Sequence, residues 1–177
     1  MTLAELNALE QGAFVHAVGW VFEHSPWVAE RVWPQHPFAS LDILHEAMTR
    51  VVADADRAEQ LALLRAHPDL GTRLLSRGDR SGGPSGPPMT AASTQEQSGA
   101  GLDRLAPDEL DRLDRLNTAY RDRFGFPFLL AVKGSTPVQI IDALERRLPR
   151  NSDEELLEAL RQVARIAKFR LEGLINP

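Results

Sequence analysis

Residues 107–125 read PDELDRLDRLNTAYRDRFG, and this stretch sets the fold class. Leu110, Leu113, Leu116 and Tyr120 recur at three- and four-residue spacing, the period of one helix face. Pro107 is suited to a first helical turn, and Phe124-Gly125 supplies a stop. The same grammar extends outward. Thr2-x-x-Glu5 is a capping box for a short helix with Leu3, Leu6 and Leu9. Residues 11–23 continue helically, with Phe14, Val18, Val21 and Phe22 on one side. Ser25 caps and Pro26 opens a further helix, which Pro34 and Pro37 break. Residues 39–54 carry Leu41, Leu44, Ala47, Met48 and Val51 at helical spacing. Residues 56–66 carry Ala58, Leu61 and Leu64 and stop at His67-Pro68, after which a short helix is expected to Ser76. Helix resumes near Thr90 and runs to about Leu105. Beyond Gly125, residues 126–133 are apolar with Pro127 inside, hence extended. Pro137 opens a helix through Leu148, and Ser152 caps the last one, 153–173. The expectation is an all-α single domain over 1–177, a bundle of about eight to ten helices.

Residues 77–89 break this pattern. Four glycines and three prolines in thirteen residues cannot hold a helix, so a flexible surface loop is expected. Its Arg77-Gly78-Asp79 reads as part of a polar loop. The 177 residues are 43% hydrophobic and 25% charged, a soluble globular composition long enough to bury a core. A net charge of −5, with Lys and Arg interspersed among Asp and Glu, argues against nucleic acid as partner. The chain has no cysteine, which removes disulfides, thiol catalysis and thiolate zinc sites. No apolar run approaches a membrane span, and neither a signal peptide nor a targeting tripeptide is visible. A cytoplasmic protein is expected.

Four places can carry chemistry. Pro68 disfavours the α conformation at the residue before it, so His67 sits at a forced helix break. There it reads either as a positioned general acid or base, or as a junction histidine bonded to a nearby carbonyl. Ser93, Glu96 and Gln97 share one helix face, where a carboxylate can orient an imidazole and an amide can read a ligand. Ser93-x-x-Glu96 also fits a capping box, and the two readings separate on where the helix begins. Arg170 interrupts the buried stripe Leu156, Leu160, Val163, Ala167, Leu174. Its guanidinium either snorkels to water or binds a carboxylate or polarised carbonyl. In Phe124-Gly125-Phe126-Pro127-Phe128-Leu129, the backbone groups of Phe128 and Leu129 lack helical partners and can meet a planar polar ligand. The same segment also fits an apolar plug between helices. His16, His24, His36 and His45 show no ligand spacing, so no metal is expected. No phosphate loop, dinucleotide fingerprint or serine elbow is present, so no cofactor is expected.

Together these segments resemble a known family. The pattern comprises His67-Pro68-x-Leu70-Gly71, Ser93-x-x-Glu96-Gln97, Asn117-x-x-Tyr120-x-x-x-Phe124-Gly125-Phe126-Pro127-Phe128 and a late Arg170-Leu171. With Phe22-Glu23-His24-Ser25-Pro26-Trp27, it is similar to the 2-oxo-4-hydroxy-4-carboxy-5-ureidoimidazoline (OHCU) decarboxylases of urate degradation. The resemblance implies an all-helical, cofactor-free, commonly homodimeric enzyme that acts on a small ureide and yields (S)-allantoin. It makes His67 the catalytic acid/base and Glu96 its partner. Pro68, Ser93, Gln97 and Arg170 become substrate contacts, and the backbone of Phe128 and Leu129 holds the ring. Two rivals stand beside this reading. One is a cofactor-free hydrolase of a related ureide, with His67 and Glu96 activating water. The other is a non-catalytic helical interaction module, in which both residues are structural.

Overall fold

The computed structural model describes residues 1–71 and 87–176. Among these residues there are nine α-helices: α1 (Leu3–Asn7), α2 (Gln11–Val18), α3 (Trp27–Val32), α4 (Leu41–Ala53), α5 (Arg57–Arg65), α6 (Ala91–Gly99), α7 (Pro107–Phe124), α8 (Pro137–Arg147) and α9 (Ser152–Leu174). A 3₁₀ turn spans Trp33–Gln35. The described residues contain no β-strand, only an isolated parallel bridge between Thr2 and Asn176. The all-α expectation holds. The chain divides into two compact units, one of Met1–Ala66 with Leu160–Pro177 and one of His67–Ala159.

The first unit begins with the expected capping box. Thr2 Oγ1 accepts from the Glu5 amide at 3.2 Å, and Glu5 Oε2 accepts from the Thr2 amide at 2.7 Å. Phe14, Val18, Val28, Val32, Leu44 and Met48 are fully buried, and α3 packs against both α2 and α4. The 160–174 part of α9 docks beside α4. His45 Nε2 lies 2.8 Å from the Ala164 carbonyl, and Lys168 pairs with Asp42 at 3.0 Å. Truncating Leu44 or Met48 to Ala should cost about 2–5 kcal/mol, the usual range for a buried aliphatic side chain.

The second unit is organised by α7. Leu113, Asn117, Tyr120 and Phe124 are buried at spacings of four, three and four, so of the stripe read from the sequence Leu113 and Tyr120 face inward while Leu110 and Leu116 are half-buried. Glu109 accepts from the Ala106 amide at 3.0 Å to open the helix. Gly125, at φ 77°, closes it in the left-handed region. The Tyr120 ring meets Phe128 edge-on at 5.3 Å, which seats the non-helical segment 126–132 on the helix.

Several boundaries differ from expectation. α2 stops at Val18 rather than residue 23, and turns follow it. α3 begins at Trp27 without a Ser25 cap, although Pro26 already has helical dihedrals. α6 stops at Gly99 rather than Leu105, because Gly101 enters the left-handed region at φ 77°. Leu102 then donates to the Gln97 carbonyl and Gly101 to that of Ser98, the paired bonds of a Schellman stop. Asn151, not Ser152, caps α9, its Oδ1 accepting from Glu154 at 2.9 Å. Residues 68–71 are not helical, so the expected short helix is absent there. Its remainder, 72–76, and residues 77–86 of the expected loop lie outside the described residues.

Candidate active site

The loop that follows His67 is held by side chains of α6 and α7. His67 itself is 4% exposed. Pro68 takes the chain out of helical conformation, and Gly71, at φ 81°, turns it. Gln97 on α6 clamps this turn at both ends of its amide. Its Oε1 accepts from the Gly71 amide at 2.9 Å, and its Nε2 donates to the Asp69 carbonyl at 3.3 Å. From α7, Asn117 Nδ2 donates to the Leu70 carbonyl at 2.9 Å. Arg121 Nη1 sits 2.5 Å from Asp69 Oδ2. Burial pushes the Asp69 carboxyl up to about 6, and the Arg121 charge pulls the other way.

The beginning of α6 decides between the two readings of Ser93 and Glu96. Thr90 is the cap, its Oγ1 accepting from the Ser93 amide at 3.2 Å. Ser93 and Glu96 therefore stand one turn inside the helix, and the capping-box reading falls. Ser93 and Gln97 are buried on one face, Ser93 Oγ accepting from Thr90 Oγ1 at 3.2 Å. Glu96 is half-buried beside them in sequence.

The segment 126–132 is held by a buried polar cluster that the sequence reading missed. Arg147 Nη1 donates to the Leu129 carbonyl at 2.7 Å, and its guanidinium lies 4.7 Å from the centre of the Phe128 ring. Arg147 Nε donates to Glu155 Oε1 at 2.7 Å, and the Tyr120 hydroxyl donates to the same oxygen. Burial and the Glu155 carboxylate push the Tyr120 phenol well above its ordinary value. Phe128 and Leu129 are themselves buried. Among the described residues, no hydrogen bond reaches either of their amides. Two adjacent N–H groups that meet no acceptor among the described residues are suited to carbonyl or carboxylate oxygens of a ligand.

Arg170 belongs to the other unit. It does not snorkel: it is 6% exposed, and its Nη1 donates to Glu23 Oε2 at 2.7 Å and to the Val21 carbonyl at 3.2 Å. Glu23, fully buried, is the counter-charge that the sequence reading did not identify. Its only signal was its place in Phe22–Trp27. His67, Pro68, Ser93, Glu96, Gln97, Phe128 and Leu129 all fall in the second unit, whereas Arg170 falls in the first. Among the described residues, no group of three or more His, Asp or Glu side chains is arranged to hold a metal ion. No helix among them is long and apolar enough to cross a membrane.

Comparison with known proteins gives concordant results. The family model described as OHCU decarboxylase matches residues 7–172. A 2-oxo-4-hydroxy-4-carboxy-5-ureidoimidazoline decarboxylase of Halalkalicoccus jeotgali is 45% identical over all of this chain and 93% of its own length. The uric acid degradation bifunctional protein PucL of Bacillus subtilis is 41% identical over 99% of this chain and 33% of its own length. Among solved structures, a crystal structure of (S)-allantoin synthase superposes with a TM-score of 0.77 at 30% identity, over 99% of this chain and 54% of that one.

Proposed function

The chain belongs to the OHCU decarboxylase family, and we propose that His67 and Glu96 carry its chemistry. It is a decarboxylase, a carboxy-lyase of urate degradation. The proposed reaction takes 2-oxo-4-hydroxy-4-carboxy-5-ureidoimidazoline to (S)-allantoin and carbon dioxide. The bond from the ring carbon to the carboxylate breaks, and its electron pair flows into the conjugated imine beside it. The neighbouring carbon, which bears the ureido group, then takes a proton on one face, while the hydroxyl on the decarboxylated carbon loses its proton and becomes the second ring carbonyl of allantoin. The substrate thus supplies its own electron sink. The protein's tasks are to orient the substrate, stabilise the developing charge and deliver a proton.

His67 is the proposed proton donor and Glu96 its orienting partner. Ser93, Gln97 and Pro68 are the proposed contacts to the ureido and ring groups. The amides of Phe128 and Leu129 are proposed to donate to ring oxygens. Arg170, fixed by Glu23, is proposed to bind an anionic group of the substrate. The observation that carries this reading is the buried His67 just before a turn that Gln97 clamps with both ends of its amide, at Asp69 and Gly71. A histidine held this way loses little ordering entropy when it meets a substrate. A cytoplasmic homodimer is part of the proposal and rests on the resemblance. Sedimentation equilibrium tests its stoichiometry.

The test generates the substrate in place from urate with the two preceding enzyme activities, adds this protein and follows optical rotation. Rapid appearance of dextrorotatory allantoin is expected, and it should be lost in a folded His67→Ala variant. The Glu96→Ala variant should fall by roughly 10²–10⁴-fold, the usual contribution of positioned acid–base machinery. Wild-type rates in either folded variant would overturn the assignment.

A further inference from the structure

α7 holds the loop after His67 residue by residue. Leu113, Asn117 and Arg121 follow one another at four-residue spacing, so they form a single stripe. Leu113 abuts Gly71 so closely that a Cβ added there would sit 2.8 Å from Leu113 Cδ2. Asn117 holds the carbonyl of Leu70, and Arg121 the carboxylate of Asp69. Moving along the stripe towards Arg121, the contacted loop residue steps back from 71 to 70 to 69. The next residues back are Pro68 and His67.

Asn117 shows that this stripe is not built for stability alone. It is 1% exposed, and its Oδ1 is buried and accepts no hydrogen bond among the described residues. A buried amide that uses one end costs desolvation at the other. An apolar residue of similar size would avoid that cost but leave the Leu70 carbonyl unheld. Arg121 similarly binds an aspartate that burial alone would neutralise.

We infer that Asn117 and Arg121 are positioning residues that set the orientation of the His67 ring through Leu70 and Asp69. The inference rests on the reading of His67 as the acid/base. It predicts a defect in the chemical step and not in substrate binding. A displacement well under an ångström at a proton donor is felt in kcat, and 1 Å can cost as much as 10²-fold.

The experiment compares Arg121→Gln, Arg121→Lys and Asn117→Leu in the full chain. It measures kcat and KM in the coupled assay and the His67 ring resonances by NMR, assigned with His67→Gln. Expected for Arg121→Gln and Asn117→Leu is a kcat lower by on the order of tenfold at unchanged KM, with a shifted His67 ring resonance. Arg121→Lys, which keeps the charge, should recover part of the loss. Wild-type kcat with an unmoved His67 resonance in a folded Arg121→Gln would overturn the inference. So would a kcat loss that merely tracks the unfolded fraction in thermal melts. Arg121 is a quarter exposed, so Arg121→Gln decides the matter even if Asn117→Leu fails to fold. Activity persisting in His67→Gln would instead remove the reading of His67 beneath it.

Discussion

Two irregular stretches of the second unit are each gripped by an arginine, and they are gripped differently. Arg147 donates to a backbone carbonyl, that of Leu129, and is itself locked by the fully buried Glu155. Arg121 reaches a side chain, the carboxylate of Asp69, and keeps a quarter of its own surface in water. A carbonyl cannot gain or lose a proton, whereas Asp69 can, at a pH near 6. The segment 126–132 is therefore held by a grip that does not titrate at the backbone. The His67 loop is held by a grip that depends on proton activity.

The largest effect should come from breaking the first grip. Glu155→Ala leaves the Arg147 guanidinium buried without its counter-charge and should cost about 3–5 kcal/mol, read as the shift in urea unfolding. A change below 1 kcal/mol would mean that the Tyr120–Glu155–Arg147 cluster does not bear the segment. The second grip should show itself as a pH effect. Asp69 has a carboxyl pushed up on folding from 3.8 to about 6, so the folded state favours its protonated form. Its contribution to stability is full below pH about 4, falls as pH rises to about 6, and is level above that. Asp69→Asn should therefore gain on the wild type across that window, by roughly 1–3 kcal/mol, in unfolding curves taken from pH 4 to 7. A parallel pair of stability curves would count against it. The smallest effects sharpen the comparison at two glycines. Gly134, at φ 80° with open space around it, should lose roughly 1–2 kcal/mol on mutation to Ala from backbone conformation alone. Gly71, at φ 81° against Leu113, should lose about 1 kcal/mol more, because the added methyl must displace a packed side chain. Equal losses would show that the contact with Leu113 is slack.

Most helix starts were legible because caps are local. Thr2, Pro107 and Pro137 act within four residues of themselves, and each opens its helix where expected. Ser93 left two readings open for the same reason: a second capping pattern lay three residues inside the cap at Thr90. The polar grips were not legible, because their partners are remote. Asn117 meets Leu70 at a separation of 47 residues, and Arg170 meets Glu23 at 147. On a helix wheel, Asn117 falls within the apolar stripe and Arg121 at its edge, which marks a direction but not what either residue meets. Only the folded chain shows that they hold the carbonyl of Leu70 and the carboxylate of Asp69. His67 was legible as a forced break through Pro68, but what surrounds it was not.

The stripe on α7 also works as a ruler. From Leu113 to Arg121 the helix rises about 12 Å. From Gly71 to Asp69 even a fully extended chain spans only about 7 Å. Helix and loop therefore cannot keep pace, and each successive anchor must reach further than the last. The sequence supplies that gradation: a leucine that touches, an asparagine that reaches, and an arginine that extends to the tip of another side chain. The three positions are consequently not interchangeable. Exchanging Asn117 and Arg121 would preserve composition, charge and helix propensity, yet put the long arm where the gap is short and the short arm where it is long.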